Sequence, residues 1–218
     1  MKVSEIYKKF GVSPNLQEHM ERVFGVVSLI EKHWKSSEAV DWQITKKMAL
    51  IHDIGNTVKF DFVNHPEFLG DEQKNIDHWK SVQAEMISKY GLDDNEATKK
   101  ILTELGINPK TVEDVYNKRF VNSVHTSQSN NLSLKILYYG DLRALPLGIG
   151  ILEERISEIR KRYANYASRS DFEDLANACR EIENEIQGKI DFSVYEINDK
   201  SVNQEITKDR LLIEEMEI

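Results

Sequence analysis

One histidine and two aspartates stand in or beside apolar stretches of the sequence, where an isolated polar side chain is costly. His52 and Asp53 are adjacent and follow the apolar residues 48–51, and Asp141 lies in the largely apolar stretch LSLKILYYGDLRAL. Neighbouring residues on a helix point about 100° apart, so His52 and Asp53 cannot both face a core, but both can reach one ion beyond a helix end. These three residues together predict a metal site.

The ligands of this predicted site mix nitrogen and oxygen atoms. Such sets bind manganese, iron, zinc, cobalt or nickel in preference to calcium. We therefore expect a divalent metal ion as cofactor, and the residue types alone do not select among these metals.

Helices are the elements expected to position these residues. Apolar residues recur at spacings of three and four along most of the chain, which predicts an all-α fold. Ser13 as N-cap and Pro14 at the first position predict a helix that carries His19. Its apolar stripe comprises Leu16, Met20, Val23, Val27 and Ile30. A second helix is expected from near Asp41 through His52, with Gly55 and Asn56 as its stop.

Further helices are expected over 77–90, 94–105, 110–127, 132–144, 151–167 and 171–187. Residues 56–71 combine Gly, Pro, Asn and Asp with exposed aromatic side chains at Phe60, Phe62 and Phe68, which predicts a functional loop. We expect a single helical domain over 1–188. A C-terminal extension over 189–218 follows, whose pattern defines no structure and to which we assign no chemistry.

Composition narrows the classes of function. The 218 residues suffice for one domain with a substantial core, and a net charge of −8 argues against binding duplex nucleic acid. The N-terminus lacks the apolar core of a signal peptide, and no run of about 18 apolar residues is present. We therefore expect a cytoplasmic protein without a membrane partner. The single cysteine, Cys179, cannot form an internal disulfide and is predicted to lie in the core.

Three motifs in a fixed order carry a family resemblance. His19 lies in HMERV, His52 and Asp53 lie in ALIHDIGN, and Asp141 lies in YYGDLRALPLGI. This order resembles the HD-domain superfamily of metal-dependent phosphohydrolases over roughly residues 13–165. The resemblance implies an all-α helical bundle in which these four side chains converge on a metal ion.

Two more histidines extend the resemblance. His78 and His125 lie between the His52–Asp53 pair and Asp141, which is similar to the dinuclear subgroup with the order His, His-Asp, His, His, Asp. In that subgroup the aspartate corresponding to Asp53 bridges two metals, and Asp53 is accordingly the predicted catalytic residue. The stretch from His125 also resembles HD-type diadenosine tetraphosphate hydrolases. Those proteins are expected to have a lysine soon after the HD pair, whereas this chain has Asn56, with Lys59 slightly later.

The resemblance implies hydrolysis of a phosphate ester or anhydride, with a nucleotide or related phosphometabolite as the small phosphorylated substrate, by metal-activated water. Arg22, Lys59 and Arg143 are candidate phosphate-binding residues. The sequence leaves open one or two metal ions and a homo-oligomer. It also leaves open two other functions, an HD-fold diiron oxygenase and a non-catalytic ligand-sensing HD module.

Overall fold

The structure, a computed structural model, is predominantly α-helical, as the apolar spacing predicts. It describes residues 1–162 and 168–218, and of residues 67 and 68 it describes the backbone alone. Twelve α-helices lie in these ranges: α1 Val3–Lys9, α2 Pro14–Lys32, α3 Trp42–Ala49, α4 Ile76–Tyr90, α5 Asp94–Glu104, α6 Pro109–Asn117, α7 Ser123–Gln128, α8 Leu132–Arg143, α9 Leu152–Arg162, α10 Phe172–Gln187, α11 Asp199–Lys208 and α12 Arg210–Glu215.

Short elements connect these helices. The 3₁₀ helices span Asn56–Lys59, Pro66–Asn75, Phe120–Asn122 and Val194–Glu196. Strands β1 (Ala144–Leu145) and β2 (Gly148–Ile149) form an antiparallel hairpin that pairs Ala144 with Ile149 and Leu145 with Gly148. None of the helices in the described part of the chain is long and apolar enough to cross a membrane.

Several helices match their predicted bounds. Helix α2 begins at Pro14, and its predicted apolar stripe is buried throughout. Helices α4, α5, α8 and α10 begin and end within one residue of the predicted positions. Gly91 and Gly106 follow α4 and α5 with φ of 96° and 76°, a conformation that favours glycine and ends a helix. Residues 163–167, predicted to continue α9, lie outside the described residues.

The helix predicted over 110–127 is wrong, because the chain breaks near its middle. Helix α6 ends at Asn117, and α7 begins only at Ser123. The Asn122 side-chain amide donates to the Asn117 carbonyl at 3.2 Å, and the Ser123 hydroxyl donates to the Phe120 carbonyl at 2.7 Å. Side chains thus take backbone acceptors that a continuous helix would use, as asparagine and serine do in turns.

Residues 56–71, predicted as a loop, include helical turns. They contain the first of the 3₁₀ helices and the start of the second. Phe62, predicted to be exposed, is instead 7% exposed and forms an apolar cluster with Leu69 and Trp79. Of the other two aromatics, Phe60 packs partly buried against this cluster, and the side chain of Phe68 lies outside the description.

The chain divides into two compact units. The first unit comprises residues 1–21, 50–116 and 209–218. In this unit the two ends of the chain pair, since the Val3 amide donates to the Met216 carbonyl and the Ile218 amide donates to the Met1 carbonyl, both at 3.0 Å. The expected C-terminal extension contains two helices, and the second of them, α12, belongs to this unit.

The second unit comprises residues 22–49 and 117–208, with α8 at its centre. Helix α8 is buried along most of its length and packs against α3, α7, α9 and α10. Cys179 of α10 is fully buried, as predicted, and lies beside Ser123 and Tyr138 at 3.3 and 3.5 Å. Burial raises the pKa of its thiol, which keeps Cys179 protonated in the core.

Candidate metal centre

A tight turn carries the adjacent His52 and Asp53. We predicted them in the last turn of a helix, but α3 ends at Ala49. The Tyr7 hydroxyl donates to the Leu50 carbonyl at 2.6 Å, and this is the acceptor that Ile54 would use in a continued helix. The Ile54 amide donates instead to the Ile51 carbonyl, three residues back, at 3.2 Å. Tyr7 therefore stabilises the turn that replaces the helix.

Two further elements of the first unit hold this turn. The Gly55 amide donates to the Thr98 hydroxyl of α5 at 3.0 Å. A Cβ atom at Gly55 would lie 2.4 Å from the Thr98 backbone nitrogen, so only glycine permits this approach. From α4, the Gln83 amide donates to the carbonyls of Thr57 and Phe60 at 3.0 and 2.8 Å. The position of His52 and Asp53 is thus fixed by α1, α4 and α5 together.

Within the first unit, Asp53 lies between two imidazoles. Its Oδ2 is 3.6 Å from His19 Nε2, and its Oδ1 is 3.6 Å from His52 Nε2. A separation of 3.6 Å is too long for a hydrogen bond. The two distances join different oxygens of Asp53, so each imidazole nitrogen faces its own oxygen of this carboxylate. The three side chains therefore present nitrogen and oxygen donors side by side, as the ligands of a metal ion do.

Asn56 fixes the orientation of Asp53. Its side-chain amide donates to Asp53 Oδ2 at 2.5 Å, and Asn56 is 8% exposed. Hydrogen bonds of this kind commonly orient the ligands of metal sites. The sequence analysis places Asn56 at a helix stop and gives it no role in orienting a metal ligand. The feature of the sequence that could have indicated this contact is the position of Asn56 three residues after Asp53, in a segment rich in turn-forming residues.

Asp141 of α8 completes a four-residue group. One ligand atom from each of His19, His52, Asp53 and Asp141 lies within 4.8 Å of the others. His52 is 1% exposed, and the other three side chains are 14 to 17% exposed. Two imidazoles and two carboxylates form a donor set that suits a divalent transition metal. These four residues lie together as a cluster that could hold a metal ion.

The other two predicted ligands lie outside the group. His78, the third residue of α4, is exposed, and its ring contacts the Trp79 ring with a centroid distance of 5.0 Å. It lines a cleft of about 760 Å³ in the first unit, whose walls do not include the four grouped residues. His125 of α7 is exposed as well. The arrangement of the described residues therefore gives no support for a second ion.

Among the predicted phosphate-binding residues, Arg143 has a different set of partners. It is 1% exposed, and its guanidinium donates to the carbonyls of Gly150, Val194 and Ile197 at 2.5 to 2.9 Å. The guanidinium also donates to the Tyr139 hydroxyl at 2.6 Å. Arg143 therefore joins segments of the second unit, and these hydrogen bonds use the donors that a phosphate would need.

The remaining two predicted cations are partly exposed. Arg22 donates to the Pro146 carbonyl at 3.4 Å, within the second unit. Lys59 forms an ion pair with Asp94 at 2.5 Å and has a side chain that is 45% exposed. Neither contact decides whether these residues bind a phosphate, and both assignments stay predictions.

Lys118 is a cation that we did not predict. Its Nζ lies 2.8 Å from Asp141 Oδ2, and its side chain is 10% exposed. It follows directly after α6, at the break in the helix predicted over 110–127. No feature of the sequence distinguishes it from other lysines, because the helix break that positions it was itself not predicted.

No family model matches the sequence, and neither a curated protein nor a solved structure shows a significant match to it.

Proposed function

We propose that this chain is a divalent-metal-dependent phosphohydrolase of the HD type, with the metal held by His19, His52, Asp53 and Asp141. The observation that carries the proposal is the convergence of these four side chains, whose ligand atoms lie within 4.8 Å of one another. Their order in the sequence also resembles the ligand order of HD-domain phosphohydrolases.

The donor set narrows the choice of metal. Two carboxylates balance the charge of a divalent ion, and neutral imidazoles suit borderline metals. Four protein ligands would fill a tetrahedral zinc site, whereas a catalytic site keeps positions open. We therefore favour manganese, iron, cobalt or nickel, which accept up to about six ligands and would retain positions for water and substrate.

The reaction would be hydrolysis of a phosphate ester or anhydride. A bound divalent ion supplies Lewis-acid chemistry, since it acidifies water and offsets charge on phosphoryl oxygens. The chain orients the ligands: Asn56 holds the Asp53 carboxylate, and the turn over 50–60 holds His52 in a buried position. Nucleotides are the substrate class that the HD resemblance favours.

Phosphate release tests the proposal. The purified protein, loaded with manganese, is assayed with nucleotides, dinucleoside polyphosphates and cyclic dinucleotides, alongside His52→Ala and Asp53→Ala. His33→Ala is the matched control, because His33 also pairs with an aspartate, Asp191, at 2.9 Å, but lies outside the metal group. We expect turnover of at least one substrate class, a loss of about 100-fold or more in the two ligand variants, and no change in the control.

Other outcomes would replace the proposal. Equal turnover in the wild type and in folded ligand variants would contradict this site. A protein that carries iron and consumes oxygen, with no phosphate release, would be an oxygenase. A protein that binds metal and a nucleotide without turnover would be a ligand-sensing module.

A further inference from the structure

Lys118 places a nearly buried positive charge beside one of the metal ligands. Its side chain is 10% exposed, and that of Asp141 is 14% exposed, with 2.8 Å between Nζ and Oδ2. Charged side chains are seldom buried to this extent unless they are paired. The ion pair between Lys118 and Asp141 is therefore part of the packed structure of the second unit.

The backbone around Lys118 is held in place by asparagines. The Asn122 side-chain amide donates to the Asn117 carbonyl at 3.2 Å, and the Asn122 backbone amide donates to the Arg119 carbonyl at 2.8 Å. These bonds close a turn from residue 117 to residue 122, with Lys118 at its second position. The turn directs the chain out of α6 and fixes where the lysine stem begins.

The charge at the site changes sign when a metal binds. Asp53 and Asp141 contribute two negative charges and Lys118 contributes one positive charge, so the metal-free group carries a formal charge of −1 when its histidines are neutral. A divalent ion brings this sum to +1. Without Lys118 the loaded site would be neutral. Because charges interact strongly in a partly buried site, Lys118 makes the loaded site attractive to an anion.

We propose that Lys118 binds the phosphoryl group of the substrate beside the metal at Asp141. The inference rests on the proposed function and names a residue for it. Arg143, the cation predicted for this role, donates to three backbone carbonyls. One partner of Lys118 is instead a metal ligand, Asp141, so an anion held beside Asp141 lies close to the Lys118 ammonium. Ammonium groups bind phosphate through charge-assisted hydrogen bonds.

The test separates metal binding from anion binding. Calorimetry first measures the manganese affinity of the metal-free protein, and then the affinity of the manganese-loaded protein for inorganic phosphate. The variants are Lys118→Met, Lys118→Gln, which keeps a donor but removes the charge, and Lys118→Arg. Lys135→Met is the matched control, because Lys135 is a similarly buried lysine, 7% exposed, that pairs with Glu185 at 2.6 Å, away from the metal group.

We expect Lys118→Met and Lys118→Gln to weaken phosphate binding by about tenfold or more, while manganese binding stays the same or becomes tighter. Tighter manganese binding follows because a repelling charge is removed. Lys118→Arg should recover most of the phosphate affinity. The Lys135→Met protein should match the wild type in both titrations.

Three results would overturn the inference while leaving the metal site intact. The first is a manganese-loaded wild type that binds no phosphate, and the second is loaded Lys118→Met and Lys118→Gln proteins that bind phosphate as well as the wild type does. The third is a loss of manganese affinity in these variants without a loss of phosphate affinity. The last result would mean that Lys118 only orients Asp141. A wild-type protein that binds no divalent metal would instead contradict the proposed function itself.

Discussion

The turn over residues 50–60, which carries His52 and Asp53, and the turn over residues 117–122, which carries Lys118, are built in different ways. Side chains from three other elements hold the first, through Tyr7, Gln83 and Thr98. The second contains a side-chain hydrogen bond of its own, from Asn122 to the Asn117 carbonyl, and its Phe120 ring packs against Phe172 of α10 at a centroid distance of 5.4 Å. Metal ligands tolerate little displacement, whereas an ammonium can reach an anion from several positions. The difference indicates that the first turn must be positioned more accurately than the second. It should also be the more sensitive of the two to substitutions elsewhere in the chain.

The largest effect is expected for Gly55→Ala. The added methyl group would lie 2.4 Å from the Thr98 backbone nitrogen and 2.8 Å from the Asp94 carbonyl, so the first turn or α5 must shift. We expect the free energy of unfolding to fall by about 2 to 3 kcal/mol in urea denaturation. Metal affinity should fall with it. Gly188→Ala is the control, because its methyl group would make only ordinary contacts, at 3.5 Å or more. Equal stability of the two variants would show that the close approach of Gly55 to Thr98 does not constrain the first turn.

A smaller effect is expected for Tyr7→Phe. Loss of the hydroxyl deprives the buried Leu50 carbonyl of its donor at 2.6 Å. The free energy of unfolding should fall by about 1 to 2 kcal/mol, measured by the same denaturation. Tyr195→Phe serves as control, because Tyr195 is 71% exposed. If both substitutions leave stability unchanged, α1 does not determine where α3 ends.

Asn122→Ala tests whether the second turn acts locally. Removing its amide should lower the free energy of unfolding by about 1 kcal/mol. Because this turn contains no metal ligand, manganese affinity should persist. Phosphate affinity of the loaded protein should fall by less than in Lys118→Met, because a displaced ammonium can still reach the anion. Asn64→Ala, in an exposed turn where the side chain donates to Asp61, is the control. A loss of manganese affinity in Asn122→Ala would show that the two turns are not independent.

The smallest effect is expected at the far end of α5, the helix that packs on the first turn. The Tyr90 hydroxyl, Lys9 and Lys89 lower the pKa of Glu104 from 4.5 to about 2. A lowered carboxyl pKa stabilises the folded chain above about pH 4.5, and this contribution is lost as the pH falls toward 2. Glu104→Gln should therefore reduce stability slightly at pH 7 and not at pH 2. The change should stay below about 1 kcal/mol, because the lysine partners are largely exposed.

The sequence predicted those features that depend on local pattern. The apolar stripe of α2 and the bounds of α4, α5, α8 and α10 follow from periodicity and from glycines at helix ends. The grouping of the four metal-site residues followed from polar side chains in apolar stretches, combined with the HD resemblance. In each case, the residues that carry the signal are close in sequence or stand in a known order.

The features that the sequence missed depend on contacts between distant residues. Helix α3 ends early because Tyr7, 43 residues away, bonds to the Leu50 carbonyl. Arg143 lies in the core because the Val194 and Ile197 carbonyls, more than fifty residues later, accept its hydrogen bonds. His78 fits the expected order of ligands, yet the register of α4 leaves it exposed, outside the group. Order along the chain did not determine these placements, because tertiary packing decides them.

Titration of the metal-free protein with manganese measures whether the four-residue group binds a metal ion. We expect one ion per chain. We also expect an affinity that falls by about 100-fold or more in folded His52→Ala and Asp53→Ala proteins and stays unchanged in His33→Ala. The absence of saturable binding, or equal affinity in the wild type and the two ligand variants, would mean that these residues do not form a metal site. Two ions per chain would contradict the four-ligand site and would return His78 and His125 to the ligand set.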